Sequence, residues 1–211
     1  MKIYLLRTKF VCFVMVGVLC LALYKISRPP FFVTESPDST YTVNLFGQKE
    51  RPAFFTVEVG VTVLKDKTPF LPYQTLHSGD FMDLSFELGY PDSRWVGDNV
   101  LQFYNEDNFD NGKSQVIFLS NNSNKTIKHL RLGSWDWFLL FDVLPGAHVR
   151  LSASPTKGDD AWVYLEGEFY DGQTFKKSAT YNVTGISKLP VFTISVAEED
   201  VKIESSYTYV P

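Results

Sequence analysis

The chain has 211 residues, a net charge of −4 and an aromatic share of 16%, high enough to favour strands over helices. Charge is placed unevenly: residues 1–30 hold Lys2, Arg7, Lys9, Lys25 and Arg28 and no acid, so the remainder carries 15 basic and 24 acidic residues, a net of −9. An acidic remainder argues against nucleic-acid binding, which needs clustered Lys and Arg to displace phosphate counterions.

Residues 1–9 read as a short basic cytoplasmic segment. Phe10 to Tyr24 is a run of 15 residues without a charge, and Ile26 extends it. As a helix that run spans about 22 Å, somewhat less than a hydrocarbon core of about 30 Å. Lys9 and Lys25 can snorkel to the interfaces, so a short span over 10–26 is feasible. Positive charge is slightly greater before the segment than after it, which directs the C-terminal part outside the cytoplasm. Two readings follow. The segment is an uncleaved signal-anchor, which is the first choice, or a signal peptide cut near Leu23 after the small-x-small sequence Cys20-Leu21-Ala22. Cys12 and Cys20, the only cysteines, lie inside this segment. The downstream part must therefore fold without disulfides.

Residues 27–39 read as a tether, with Pro29 and Pro30 ending any helix and stiffening the exit. From residue 40 to 211, strand signals follow one another. Tyr41, Val43 and Leu45 alternate with polar residues, and so do Phe55, Val57, Val59, Val61 and Val63, a clean period of two. Asn99–Tyr104, Gln115–Leu119, Lys125–Leu132, Phe138–Val143, His148–Ala153, Trp162–Phe169 and Phe192–Val196 continue the series. Pro91-Asp92 suits a type I turn and Pro145-Gly146 a type II turn. Asp171-Gly172 is a two-residue hairpin signal. No sustained helical period follows residue 30. The expected fold is an all-β, antiparallel β-sandwich of about nine to eleven strands, immunoglobulin-like or larger, behind one N-terminal transmembrane helix. One sandwich is expected first, and two modules divided near 105–113 second.

Motifs for chemistry are sparse. His129 and His148 alternate with apolar strand residues, which turns them to solvent. His77 lies in the turn-like stretch His77-Ser78-Gly79-Asp80, with no nucleophile elbow around it. Asp107 and Asp110, in the acidic loop 105–112, form the best calcium candidate. The EF-hand pattern nonetheless fails there, because Phe109 and Phe118 fall on ligand positions. Phosphate-binding loops, dinucleotide fingerprints and zinc spacings are absent, so no cofactor is expected. Trp95, Trp135 and Trp137 are the candidates for a ligand platform, against the plainer reading that such aromatics fill the core. Asn121, Asn124 and Asn182 begin Asn-x-Ser/Thr sequons, surface glycan sites if the protein passes through a eukaryotic secretory pathway.

The sequence therefore predicts a non-enzymatic binding or assembly module, held at the membrane by its N-terminal helix and acting on a protein partner. The alternative is a glycan- or small-ligand-binding domain using surface aromatics. A hydrolase with an unrecognised site comes third.

Overall fold

A computed structural model of the chain describes residues 30, 32–46, 59–76, 92–104, 115–134, 136–153, 160–182 and 188–209. The expected membrane segment 10–26, His77, Ser78, Asp80, Asp107, Asp110 and Trp135 lie outside these residues.

All elements among the described residues are strands, fourteen in number: β1 (Phe32–Glu35), β2 (Tyr41–Phe46), β3 (Val59–Lys65), β4 (Thr68–Leu76), β5 (Asp92–Trp95), β6 (Val100–Tyr104), β7 (Gln115–Asn121), β8 (Ile127–Gly133), β9 (Trp137–Val143), β10 (His148–Ala153), β11 (Asp160–Phe169), β12 (Thr174–Asn182), β13 (Lys188–Val196) and β14 (Val201–Tyr209). The count exceeds the expected nine to eleven because β1, β4, β5, β12 and β14 lack a plain apolar alternation. β12, for instance, reads Thr-Phe-Lys-Lys-Ser-Ala-Thr-Tyr-Asn, and is mostly exposed at the edge of its sheet. Phe32–Glu35 falls within the expected tether. It pairs with β2 as an edge strand and buries almost nothing, so no period marks it.

The strands form three sheets. The first has the order β1-β2-β3-β4, the central one β12-β11-β8-β9-β6-β5, and the third β10-β7-β13-β14. One apolar core lies between the central and third sheets, around Phe138, Leu140, Leu130, Val163, Phe192 and Ile194. A second lies between the central and first sheets, around Tyr41, Val43, Val61, Leu101, Phe103, Trp137 and Phe141. The central sheet is thus covered on both faces. This explains the unbroken apolar run Trp137-Phe138-Leu139-Leu140-Phe141, whose residues alternate between the two cores. It also joins the chain on either side of 105–113, because β6 is hydrogen-bonded to β9.

Among the described strands, hydrogen-bonded neighbours of odd and even number run antiparallel. β7 and β13 are the one pair of neighbours in which both are odd, and they pair in parallel. One end of the stack therefore gathers the tight connections 36–40, 66–67, 96–99, 122–126, 144–147, 170–173 and 197–200. The opposite end receives β1 at residue 32 and the strand ends joined by 47–58, 77–91, 105–114, 134–136, 154–159 and 183–187.

Turn chemistry follows the sequence closely. Leu144-Pro145-Gly146-Ala147 is the expected type II turn, with Gly146 at φ +74° and the Ala147 N–H donating to the Leu144 carbonyl at 3.1 Å. The Asp171-Gly172 hairpin has a three-residue loop instead of a two-residue one. Gly172, at φ +86°, takes the left-handed position after a turn closed by its N–H on the Phe169 carbonyl, and the Phe169 N–H reaches the Gln173 carbonyl.

Candidate functional site

The best-built polar constellation stands at the tight-turn end, where the first and central sheets meet. Its centre is Asp142, the penultimate residue of β9. Strict alternation would send Asp142 to the face opposite Phe141. Its left-handed backbone, φ +47°, turns it instead towards the first sheet. There it accepts hydrogen bonds from three elements. The Tyr41 hydroxyl of β2 donates at 2.5 Å, the Lys65 ammonium at the end of β3 pairs with the same oxygen, and the Tyr170 hydroxyl of the β11–β12 turn donates to the other.

Around this carboxylate sit the aromatic rings. Tyr41 stacks on Phe141 at 4.9 Å, and Phe70 meets Tyr41, Phe141 and Tyr170 edge-on. Burial raises the pKa of the Asp142 carboxyl, but the donors Lys65, Tyr170 and Tyr41 outweigh it and hold the group below the ordinary carboxylate value. The bond to Asp142 raises Lys65. Burial first, and then the carboxylate, raise both phenols. Every group therefore stays in its charge state near neutrality, and the cluster works as an electrostatic tie between two sheets.

Backbone strain is concentrated at the same place. Among the described residues, the non-glycine residues at positive φ are Ser39, Asp66, Lys67 and Asp142. Asp66 and Lys67 form the two-residue β3–β4 turn next to Lys65, and the Asp66 N–H donates to the Thr40 carbonyl beside Tyr41. Left-handed backbone in residues other than glycine costs free energy and persists where neighbouring contacts over-determine it.

A second constellation lies on the same face of the central sheet, towards β11 and β12. Arg131 is buried, pairs with Glu166 at 2.6 Å, and stacks 5.4 Å from both the Trp137 and Tyr164 ring centres. Lys176 stands 5.0 Å from the Tyr164 ring, and Trp137 lies 6.1 Å from Trp162. Next to it, His129 faces Glu168 at 4.0 Å, and burial lowers the imidazole pKa. His129 is thus half-buried on the central sheet, not turned to solvent as its alternation predicts, whereas His148 is exposed.

Two buried polar pins complete the inventory. Asn121, fully buried at the end of β7, donates both amide hydrogens, to the Lys125 and Val143 carbonyls, each at 2.9 Å. Its side-chain oxygen accepts from the Ser123 N–H at 3.2 Å and the Ser123 hydroxyl at 2.6 Å. Gln102 on β6 donates to Asp136 at 2.6 Å and to the Ser152 carbonyl of β10 at 3.0 Å, so it ties the central sheet to the third. At the opposite edge the Tyr181 hydroxyl of β12 does the same, donating to the Ile203 carbonyl of β14 at 3.0 Å.

The sequence-predicted residues that the structure describes, Trp95, Trp137, Asn121, Asn124 and Asn182, fall on different strands and a turn. Trp137 is 2% exposed and belongs to the core between the first and central sheets. Trp95 is half-buried against the same core, and its indole N–H donates to the Thr34 hydroxyl at 3.0 Å. Asn121 is internal, and its amide has no hydrogen left for a glycan. Asn124 is exposed in the β7–β8 turn. Asn182 ends β12. Among the described residues no group of three or more His, Cys, Asp or Glu is placed to hold a metal ion.

Asp142, Lys65, Tyr41 and Tyr170 were not singled out by sequence. The one available signal is an acidic residue interrupting the apolar run Phe138–Val143. No protein-family model matches the chain, and no curated protein or solved structure is found to be similar to it.

Proposed function

We propose that this chain is a membrane-anchored, extracytoplasmic β-sandwich that acts as a non-enzymatic binding or assembly module for a protein partner. The supporting observation is the polarity of the stack. β1 begins at residue 32, on the end opposite the tight turns, and only residues 27–31 separate it from the apolar segment 10–26. Fully extended, those residues reach about 17 Å. In this reading the anchor keeps the β1 end close to the bilayer and directs the tight-turn end outward. That outer end carries Leu144 and Tyr170, 61% and 55% exposed, beside the strained, cross-braced Asp142 junction. Rigidly braced turns that display apolar side chains suit contact with another protein.

The test is the mass of the N-terminal peptide from the membrane fraction, together with protease treatment of intact cells. Retention of residues 1–22 and digestion of the domain from outside are expected. A domain digested only after permeabilisation overturns the topology. A mature start near Leu23 replaces the anchor with secretion or a periplasmic location. Turnover of a substrate in a broad hydrolase screen overturns the non-enzymatic part.

A second reading, a glycan- or small-ligand-binding domain, is favoured by the half-buried Trp162 and Tyr164 next to the Arg131–Glu166 pair. Titration with glycans while following tryptophan fluorescence tests it. A saturable change lost in Trp162→Phe supports it, and an unchanged spectrum removes it.

A further inference from the structure

Residues 121–126, the last residue of β7 and its connection to β8, form two sequons in immediate succession, Asn121-Asn122-Ser123 and Asn124-Lys125-Thr126. Both satisfy Asn-x-Ser/Thr, the first through Ser123 and the second through Thr126. Their physical situations are opposite.

Asn121 is 0% exposed. Its amide nitrogen donates to the Val143 carbonyl at the end of β9 and to the Lys125 carbonyl, and its oxygen holds Ser123. The side chain is the pin around which the turn folds. The hydroxyl of its own sequon, Ser123, is enclosed too, its one hydrogen lying between the Asn121 oxygen at 2.6 Å and the Lys125 carbonyl at 3.0 Å. Asn124 is exposed on the outside of the same turn. The residues around it are fixed without it. Lys125 pairs with Asp171 at 2.7 Å and Gln173 at 3.0 Å, and Asn122 donates to the Ser195 hydroxyl at 2.7 Å. The backbone that presents Asn124 is thus held from both sides, while the side chain faces water.

We infer that Asn124 is the acceptor for an N-linked glycan when the domain is translocated into a glycosylating compartment, and that Asn121 is excluded as one in the folded protein. The donor is a lipid-pyrophosphate-linked oligosaccharide. The Asn124 amide nitrogen forms a bond to the anomeric carbon, the carbon–oxygen bond to the pyrophosphate breaks with its electron pair staying on the pyrophosphate, and one amide proton leaves to a base. The same substitution at Asn121 removes one of the two hydrogens that satisfy buried carbonyls and places a sugar where no space exists. A chain modified at Asn121 before folding cannot close the β7–β8 turn. The glycan on Asn124 stands at the tight-turn end, which makes that end the sugar-bearing, membrane-distal one. This inference rests on the extracytoplasmic topology proposed above.

The experiment translates the full chain in the presence of endoplasmic-reticulum microsomes. Protease protection reads translocation, and peptide masses after enzymatic glycan release in heavy-oxygen water read the site, since release converts a glycosylated Asn to a labelled Asp. In protected chains that also resist protease after detergent lysis, label at position 124 and none at 121 is expected. Asn124→Gln and Thr126→Ala each remove that label and the corresponding mass. Label at 121 in the resistant chains, or none at 124 in protected chains, overturns the assignment. A domain digested from the cytosolic side overturns the topology, and the assignment with it.

Discussion

Replacing Asp142 by Asn removes one negative charge and leaves the shape of the side chain almost unchanged. Asn also tolerates left-handed backbone, so the φ of +47° adds no new strain. What is lost is the charged character of the bonds from Lys65, Tyr41 and Tyr170. Hydrogen bonds to charged groups contribute roughly 1.5–3 kcal/mol each. The Lys65 side chain is 33% exposed, and solvent screens its share. The net expectation is a loss of about 1–2 kcal/mol at pH 7.

The pH dependence separates this from a packing defect. The folded carboxyl is held below its ordinary value, so its contribution is complete above the unfolded pKa of about 3.9 and disappears as pH falls through the folded pKa. Urea unfolding of the full chain, followed by tryptophan fluorescence between about pH 7 and pH 2, therefore gives two curves that converge in acid. A double-mutant cycle with Lys65→Met isolates the pair, with a coupling of about 0.5–1.5 kcal/mol expected. Equal stabilities at pH 7, or a difference that persists unchanged at pH 2, would refute the electrostatic account.

Three further outcomes follow from other parts of the fold. Asn121→Ala takes a donor from the Val143 carbonyl in the buried interior and one of two side-chain donors from the part-buried Lys125 carbonyl, and should cost about 1–3 kcal/mol in a chemical denaturation series, more than Asn124→Ala in the same turn, which should stay within about 0.5 kcal/mol. At Gly133 a Cβ would stand 2.4–2.7 Å from the Trp137 ring, which is buried and packed, so Gly133→Ala should lower the urea midpoint by the equivalent of about 1–3 kcal/mol while an alanine at exposed Ser178 leaves it unchanged. Burial lowers the His129 pKa, so the unfolded chain binds that proton more tightly, and stability should fall as pH drops below about 6.5; His129→Gln should flatten this limb, and an identical slope in the variant would count against the assignment.

The strands that announce themselves in sequence are those with one clear burial pattern. Tyr41–Phe46 alternates buried and half-buried residues, and Gln115–Asn121 buries every second one, so period two is legible. The Pro145-Gly146 turn was legible because proline fixes φ at one position and glycine supplies positive φ at the next. β12 and β1 were illegible because edge strands bury little, and an exposed strand needs no apolar code. The ligand candidates Trp95 and Trp137 look the same in sequence whether they line a surface or a core. A tryptophan carries no mark of what will cover it.

The sequence by itself determined the all-β class, because alternation and turn residues are set by backbone sterics over a few positions. The five consecutive large apolar residues Trp137–Phe141 of β9 also stand in the sequence without a single-faced period. Only the tertiary structure decided what lies on each side of that run. The first sheet covers one face and the third covers the other, and the choice depends on contacts between residues about a hundred positions apart, such as Tyr41 with Asp142. The same holds for the two sequons at Asn121 and Asn124. Both satisfy the same Asn-x-Ser/Thr pattern along the chain, and their surroundings differ because the Val143 carbonyl arrives beside one of them when β9 pairs with β8.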